Sequence, residues 1–125
     1  MSGEKTDTEM NGIVLKAAGL LEDNRAQDVV VLDLQGVTSI TDYFLICTVT
    51  SAVQTKALIR SIEEFMRGYG MKPISPHVNT NSPWVLLDFN YFVIHIFLAE
   101  GRDFYGLEKL WSDAVVVFDE RGGAV

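Results

Sequence analysis

The chain has 125 residues, 48% of them hydrophobic, and carries a formal net charge of −7 from 10 Lys and Arg against 17 Asp and Glu. One core suffices at this length, so a single domain over 1–125 is expected, ordered over about 9–118, with polar or Gly-rich, mobile ends. The basic residues stand apart from one another between Lys5 and Arg121, which argues against phosphate backbones as the main ligand and favours a basic protein partner.

In chain order, Ile13, Val14, Ala17, Ala18, Leu20 and Leu21 make a helical stripe within 9–23, and Asp23-Asn24 can stop it. Val29–Leu34 is short, apolar and β-branched, as a buried strand is. Gln35-Gly36 turns the chain, and Tyr43–Val49 is a second strand. Its Cys47 has no second cysteine to pair with and reads as a small buried hydrophobe. Thr50-Ser51 can cap a helix in which Leu58, Ile62, Phe65, Met66 and Tyr69 repeat at helical spacing. Gly70 stands where a left-handed residue would end it. Pro73 and Pro76 force an extended passage near Ile74, a further short strand in this reading, and 76–83 is a polar loop.

Trp84–Phe89 and Phe92–Leu98 flank Asn90-Tyr91, the pattern of a tight hairpin that pairs 87 with 94 and 86 with 95. Alternation puts Val85, Leu87, Phe89, Phe92, Ile94, Ile96 and Leu98 on one wholly apolar face. The other face mixes Trp84, Leu86, Asp88, Val93, His95 and Phe97, too apolar to be left in water without a reason and too polar to be ordinary core. A short helix near Asp103–Trp111 follows, with Phe104, Leu107, Leu110 and Trp111 on one side. Ala114–Phe118 is either a last strand or a docked tail.

The eight residues 35–42 favour antiparallel pairing of the first two strands. The helix after the second strand favours a parallel crossover to the next one. A mixed sheet covered by helices, in the α/β class, is the consistent outcome. No apolar stretch reaches the roughly 18 residues that span a bilayer, and Met1–Met10 lacks the pattern of a targeting signal. A soluble cytoplasmic protein is expected.

The groups that could do chemistry are His77, His95, Asp33, Asp42 and Asp88. No phosphate-binding Gly loop or Gly-x-Ser-x-Gly accompanies them, and two histidines with one cysteine make no recognisable zinc set. Asp88 and His95 can meet as half of a nucleophilic triad. Without a nucleophile the plainer reading is a hydrogen-bonded, semi-buried histidine or a simple partner contact. Trp84 and Trp111 read either as half-buried packing or, for Trp84, as an interface anchor.

Residues 29–51, with Asp42-Tyr43-Phe44, then Trp84–Phe89, Val93–Phe97 and Phe104–Trp111, together resemble the ribosomal silencing factor (Iojap-related) family over about Asp28–Ala114. The resemblance implies a nucleotidyltransferase-like fold without the catalytic motif. It implies a non-enzymatic repressor that needs no cofactor. Such a factor binds the large-subunit ribosomal protein numbered fourteen at the intersubunit face, blocks subunit joining and lowers translation when nutrients are short. The matching motif residues, and so the expected partner-binding set, are Trp84, Leu86, Asp88, His95, Phe97, Tyr105, Leu107, Glu108 and Trp111. Departures from the family pattern are Val78-Asn79-Thr80 in place of a Glu-Gly pair, Val49-Thr50 in place of a Gly, and Tyr91 in place of an acidic turn residue.

The rival reading is a metal-dependent nucleotidyltransferase. That chemistry needs a Gly-Ser pair and an Asp-x-Asp to hold two metal ions. Asp33-Leu34-Gln35 and Asp88-Phe89-Asn90 lack the second carboxylate. A homodimerisation module is a third reading.

Overall fold

The structure is a computed structural model and describes residues 7–74 and 79–120. Its elements are α1 (Asp7–Asp23), β1 (Gln27–Asp33), β2 (Tyr43–Val49), α2 (Ala52–Arg67), β3 (Trp84–Asp88), β4 (Phe92–Leu98), α3 (Ala99–Tyr105), α4 (Leu107–Leu110) and β5 (Val115–Asp119). The strands form one sheet in the order β3-β4-β2-β1-β5. β2 and β4 are parallel, and the other neighbours are antiparallel. This is the mixed, helix-covered α/β sheet expected from the order of elements.

One face of the sheet is closed by α1 and α2. Met10, Ile13, Val14, Ala17, Ala18 and Leu21 are buried, a stripe at the spacing that keeps one side of a helix inward. Met10 therefore belongs to the core rather than to a mobile end. In α2 the Ser51 hydroxyl accepts from the Gln54 N–H, a cap on the first turn. At the other end Gly70 sits at φ 74°, and the N–H groups of Gly70 and Met71 donate to the carbonyls of Arg67 and Met66. That is a Schellman stop, which wants glycine because a Cβ is strained at positive φ. Leu58, Ile62 and Met66 pack from α2 against the apolar hairpin face, where Val85, Leu87, Phe89, Phe92, Ile94 and Ile96 are all buried.

The hairpin pairs Leu86 with His95 and Leu87 with Ile94, and Asn90 takes φ 74° in its turn. The crossover differs from expectation. From β2, α2 leads not to a parallel partner in the next strand but to β4, with Tyr43 opposite Phe92 and Val49 opposite Leu98. β3 is left at the edge. β4 is apolar on both faces and suits the interior, whereas Leu86 and Asp88 suit a strand with one side open. Among the described residues the passage near Ile74 forms no strand, and the Ile74 N–H donates to the Asp88 carbonyl. Ala114–Phe118 resolves into β5, paired with β1.

The second face carries a smaller core of Val30, Leu32, Leu34, Phe44, Ile46, Val93, Phe97, Leu107 and Ala114, with Trp84, Trp111 and Val116 against its margin. β2 lies between the two cores, so all seven of its residues are buried. The expected single helix near Asp103–Trp111 is instead two, α3 and α4, broken at Gly106 (φ 56°). The break turns Leu107 inward and leaves Phe104 82% and Leu110 76% exposed, so these two do not share a buried side with Leu107.

Candidate protein-docking site

The second face of the hairpin is where the singled-out residues converge. The Ser82 hydroxyl donates to the Trp84 carbonyl and accepts from the Trp84 N–H, which fixes the start of β3. The Pro83 carbonyl accepts from the Leu98 N–H, closing the hairpin's open end. Gly101, in the first turns of α3, approaches so closely that a Cβ there would lie 2.6 Å from the Pro83 oxygen. This close approach lays α3 across the start of β3, and Tyr105 falls on Trp84 with ring centroids 4.7 Å apart.

Trp84, His95, Phe97 and Tyr105 form one cluster. Trp84 stacks on Phe97 at 5.2 Å and lies 5.8 Å from His95. Its exposure is graded from the inside out. Phe97 and His95 are buried, Trp84 is half-buried, and Tyr105 and Leu86 are each 42% exposed. Phe104 stands edge-on to Tyr105 at 5.1 Å and projects into solvent. The exposed part of the face is thus Trp84, Leu86, Tyr105 and Phe104, an apolar platform supported from below.

His95 belongs to the support. The Trp84 indole N–H donates to its Nδ1 at 3.0 Å. An indole nitrogen can only donate, so Nδ1 must be the acceptor and the neutral ring carries its proton on Nε2. Nε2 is buried and makes no hydrogen bond among the described residues. Burial pushes the imidazole pKa from the ordinary 6.5 down to about 3. A neutral ring in this setting orients the indole and cannot carry charge to a partner near neutral pH.

The remaining expected residues are distributed around this cluster. Trp111 packs edge-on to Phe44 at 5.6 Å, and Phe44 packs edge-on to His95 at 4.4 Å, so Trp111 joins the platform through an intermediary. Leu107 is core. Asp88 lies at the hairpin tip, where its carboxylate accepts from the Asn90 N–H at 2.7 Å, and not against His95. Glu108 faces away from Trp84 and accepts from the Nε–H of Arg102 at 2.8 Å. His77 lies outside the described residues. Sequence reasoning passed over Arg102, and it placed Phe44 in the core, where the structure has it, without linking it to the site. The quoted Asp42-Tyr43-Phe44 motif was a signal for that link, and a lone Arg in a stretch of aromatics and glycines was one for Arg102.

Other chemistry finds little purchase. Burial raises the Cys47 thiol to about 12, where it is a poor nucleophile. The Asp33 carboxylate is engaged with the Gln35 N–H in its own turn. No group of three or more His, Cys, Asp or Glu comes together as a metal site among the described residues. Among the same residues, no helix is long and apolar enough to cross a membrane.

By fold and surface this is a mixed α/β domain with an aromatic platform on the flank of its sheet. The chain belongs to the ribosomal silencing factor family, whose model, described as "Ribosomal silencing factor during starvation", matches residues 7–123. It is 38% identical to the ribosomal silencing factor of Bacillus subtilis over 98 residues, 78% of this chain and 83% of that protein. It is 31% identical to the chloroplastic Iojap protein of Zea mays over 111 residues, 89% of this chain and 48% of that one. A crystal structure of a Chromobacterium violaceum protein superposes with a TM-score of 0.73 at 30% identity, covering 82% of this chain and 85% of that one. A Bacillus halodurans structure gives 0.65 at 29% identity, covering 84% and 95%.

Proposed function

We propose that the chain is a non-enzymatic repressor of translation that acts in the cytoplasm. It binds the large ribosomal subunit through the ribosomal protein numbered fourteen, at the intersubunit face, and so blocks joining of the subunits when nutrients are limiting. The observation that carries this reading is the platform of Trp84, Leu86, Tyr105 and Phe104, apolar and exposed, on a domain of net charge −7. Exposed aromatics around a half-buried tryptophan are the anchor of a protein interface, with polar groups at the rim. Family membership supports the ribosome as the partner. The Asp88 carboxylate, at the hairpin tip, would set register against a basic surface more than it adds affinity. A homodimer is a second assembly that the same platform could form, in competition with the ribosome.

The experiment is co-sedimentation with purified large subunits, paired with circular dichroism. Trp84→Ala and Tyr105→Ala should stay folded and bind more weakly, with the Trp84 truncation costing about 2 kcal/mol or more. Folded variants that still pellet and still block subunit joining would remove this surface from the reading. The nucleotidyltransferase alternative is tested by calorimetric titration with magnesium and a nucleoside triphosphate, where a specific heat would revive it.

A further inference from the structure

On the far side of α3 from Trp84 lies an open cleft of about 620 Å³ lined by Gln27, Asp28, Thr48, Arg102, Glu108 and Lys109, among others. Arg102 is its organising group. The side chain is 9% exposed and reaches three elements at once. Its Nε–H donates to Glu108 on α4 at 2.8 Å, and Nη1 donates to the Thr48 hydroxyl of β2 at 2.9 Å and to the Asp28 carbonyl of β1 at 2.8 Å. That carbonyl is offered by an irregular stretch. The β1–β2 register shifts between Gln27 and Val30, and Asp28 takes φ 53° there.

The position of this network matters because of what it spans. Glu108 and Arg102 lie on opposite sides of Gly106, whose left-handed backbone separates α3 from α4. α4 has only four residues, too few to hold its own direction. It carries Leu107 into the second core and leads to Trp111, which packs on Phe44 beneath His95. Nη2 of Arg102 is buried without a hydrogen-bond partner among the described residues. A part-buried ion pair whose arginine keeps an unpaired buried donor is weak evidence of stabilisation and better evidence of a fixed geometry.

We infer that Arg102 is a positioning residue for the docking surface. It clamps α4 to the sheet across the Gly106 break and so holds Tyr105 and Trp111 in register with Trp84 before a partner arrives. This inference rests on the platform reading above. The clamp touches no partner atom. It removes the cost of ordering the α3–α4 segment during binding, the usual source of affinity in a preorganised surface.

The test uses the full chain and purified large ribosomal subunits. Arg102→Lys keeps the charge but cannot make the forked contacts, and Glu108→Ala removes one anchor. Each should retain its circular dichroism, show faster amide hydrogen exchange over 107–114, and bind about tenfold more weakly, the cost of ordering one or two rotamer-rich side chains. The double variant should bind no worse than either single one. Glu108→Gln, which keeps an acceptor for Nε–H, should bind close to the wild type. If Arg102→Lys does not fold, Thr48→Val takes its place, since it removes a single acceptor. Clamp variants that bind like the wild type while Trp84→Ala binds weakly would overturn the clamp and leave the platform standing. Wild-type binding by Trp84→Ala would overturn the platform, and the clamp with it. Losses that add in the double variant would also overturn the clamp, because Glu108 would then be acting on the partner directly.

Discussion

Protonating His95 should unfold this protein progressively as the pH falls, because its buried ring has no way to accept a charge. The imidazole pKa is about 3 in the folded chain against 6.5 for a free histidine, and burial is the cause. Between those two values the unfolded chain binds a proton that the folded one does not. The folded pKa is the depressed one, so this contribution to stability is complete above about pH 6.5 and is lost as the pH drops toward 3. At about 1.4 kcal/mol per unit, the loss between about pH 7 and pH 5 comes to about 2 kcal/mol. For 125 residues that is about 7 °C in Tm. The comparison is His95→Asn, which keeps an acceptor near Nδ1 for the Trp84 indole and does not titrate. The variant's absolute stability will differ through altered packing, but that offset is constant with pH. His77 and the carboxylates are common to both chains and cancel in the difference. Urea unfolding at closely spaced pH values, followed by circular dichroism, gives the difference curve. Parallel pH profiles for the two proteins would mean that His95 takes up its proton without cost, and the argument from burial would be refuted.

Three further outcomes concern packing. Gly101→Ala should destabilise by about 1–3 kcal/mol in urea unfolding, since its Cβ would meet the Pro83 carbonyl at 2.6 Å. Gly12→Ala should instead stabilise by about 0.5–1 kcal/mol, because that helical position opens onto free space. Ile94→Ala, at a site of 0% exposure between β3 and β2, should cost about 2–5 kcal/mol. An unchanged Tm for Ile94→Ala would invert the two faces of the hairpin.

What was legible in the sequence was periodicity and punctuation. The hairpin register followed from two alternating runs around Asn90-Tyr91, and the α2 termini followed from Ser51 and Gly70. Both depend on neighbours in the chain. Alternation states which residues share a face, however, and not what covers that face. Trp84, Leu86, Asp88, His95 and Phe97 do share one, yet His95 and Phe97 are 2% and 0% exposed because β4 is interior and α3 lies across it. The cover depends on the approach of Gly101 to Pro83, a contact between residues 18 positions apart that no local pattern announces. The break at Gly106 was hidden for a different reason. Phe104, Leu107, Leu110 and Trp111 fit one continuous helical side, and only the left-handed glycine redirects the chain partway through.

These two hidden features bear on how the surface can work. A platform made by strand alternation alone would expose His95 and Phe97 and leave Trp84 free to rotate. With α3 laid over β4, the indole is instead held on three sides, by the His95 acceptor, the Phe97 ring and the Tyr105 ring. A tryptophan fixed in this way gives up little rotational freedom on contact, which is what a central anchor requires. The same geometry assigns distinct consequences to neighbouring substitutions. Removing Tyr105 takes away exposed contact area and one wall. Removing His95 changes the angle of the ring while leaving the exposed area almost untouched. Loss of binding at neutral pH in a folded His95→Leu variant, which has no acceptor for the indole N–H, would therefore measure the value of orientation.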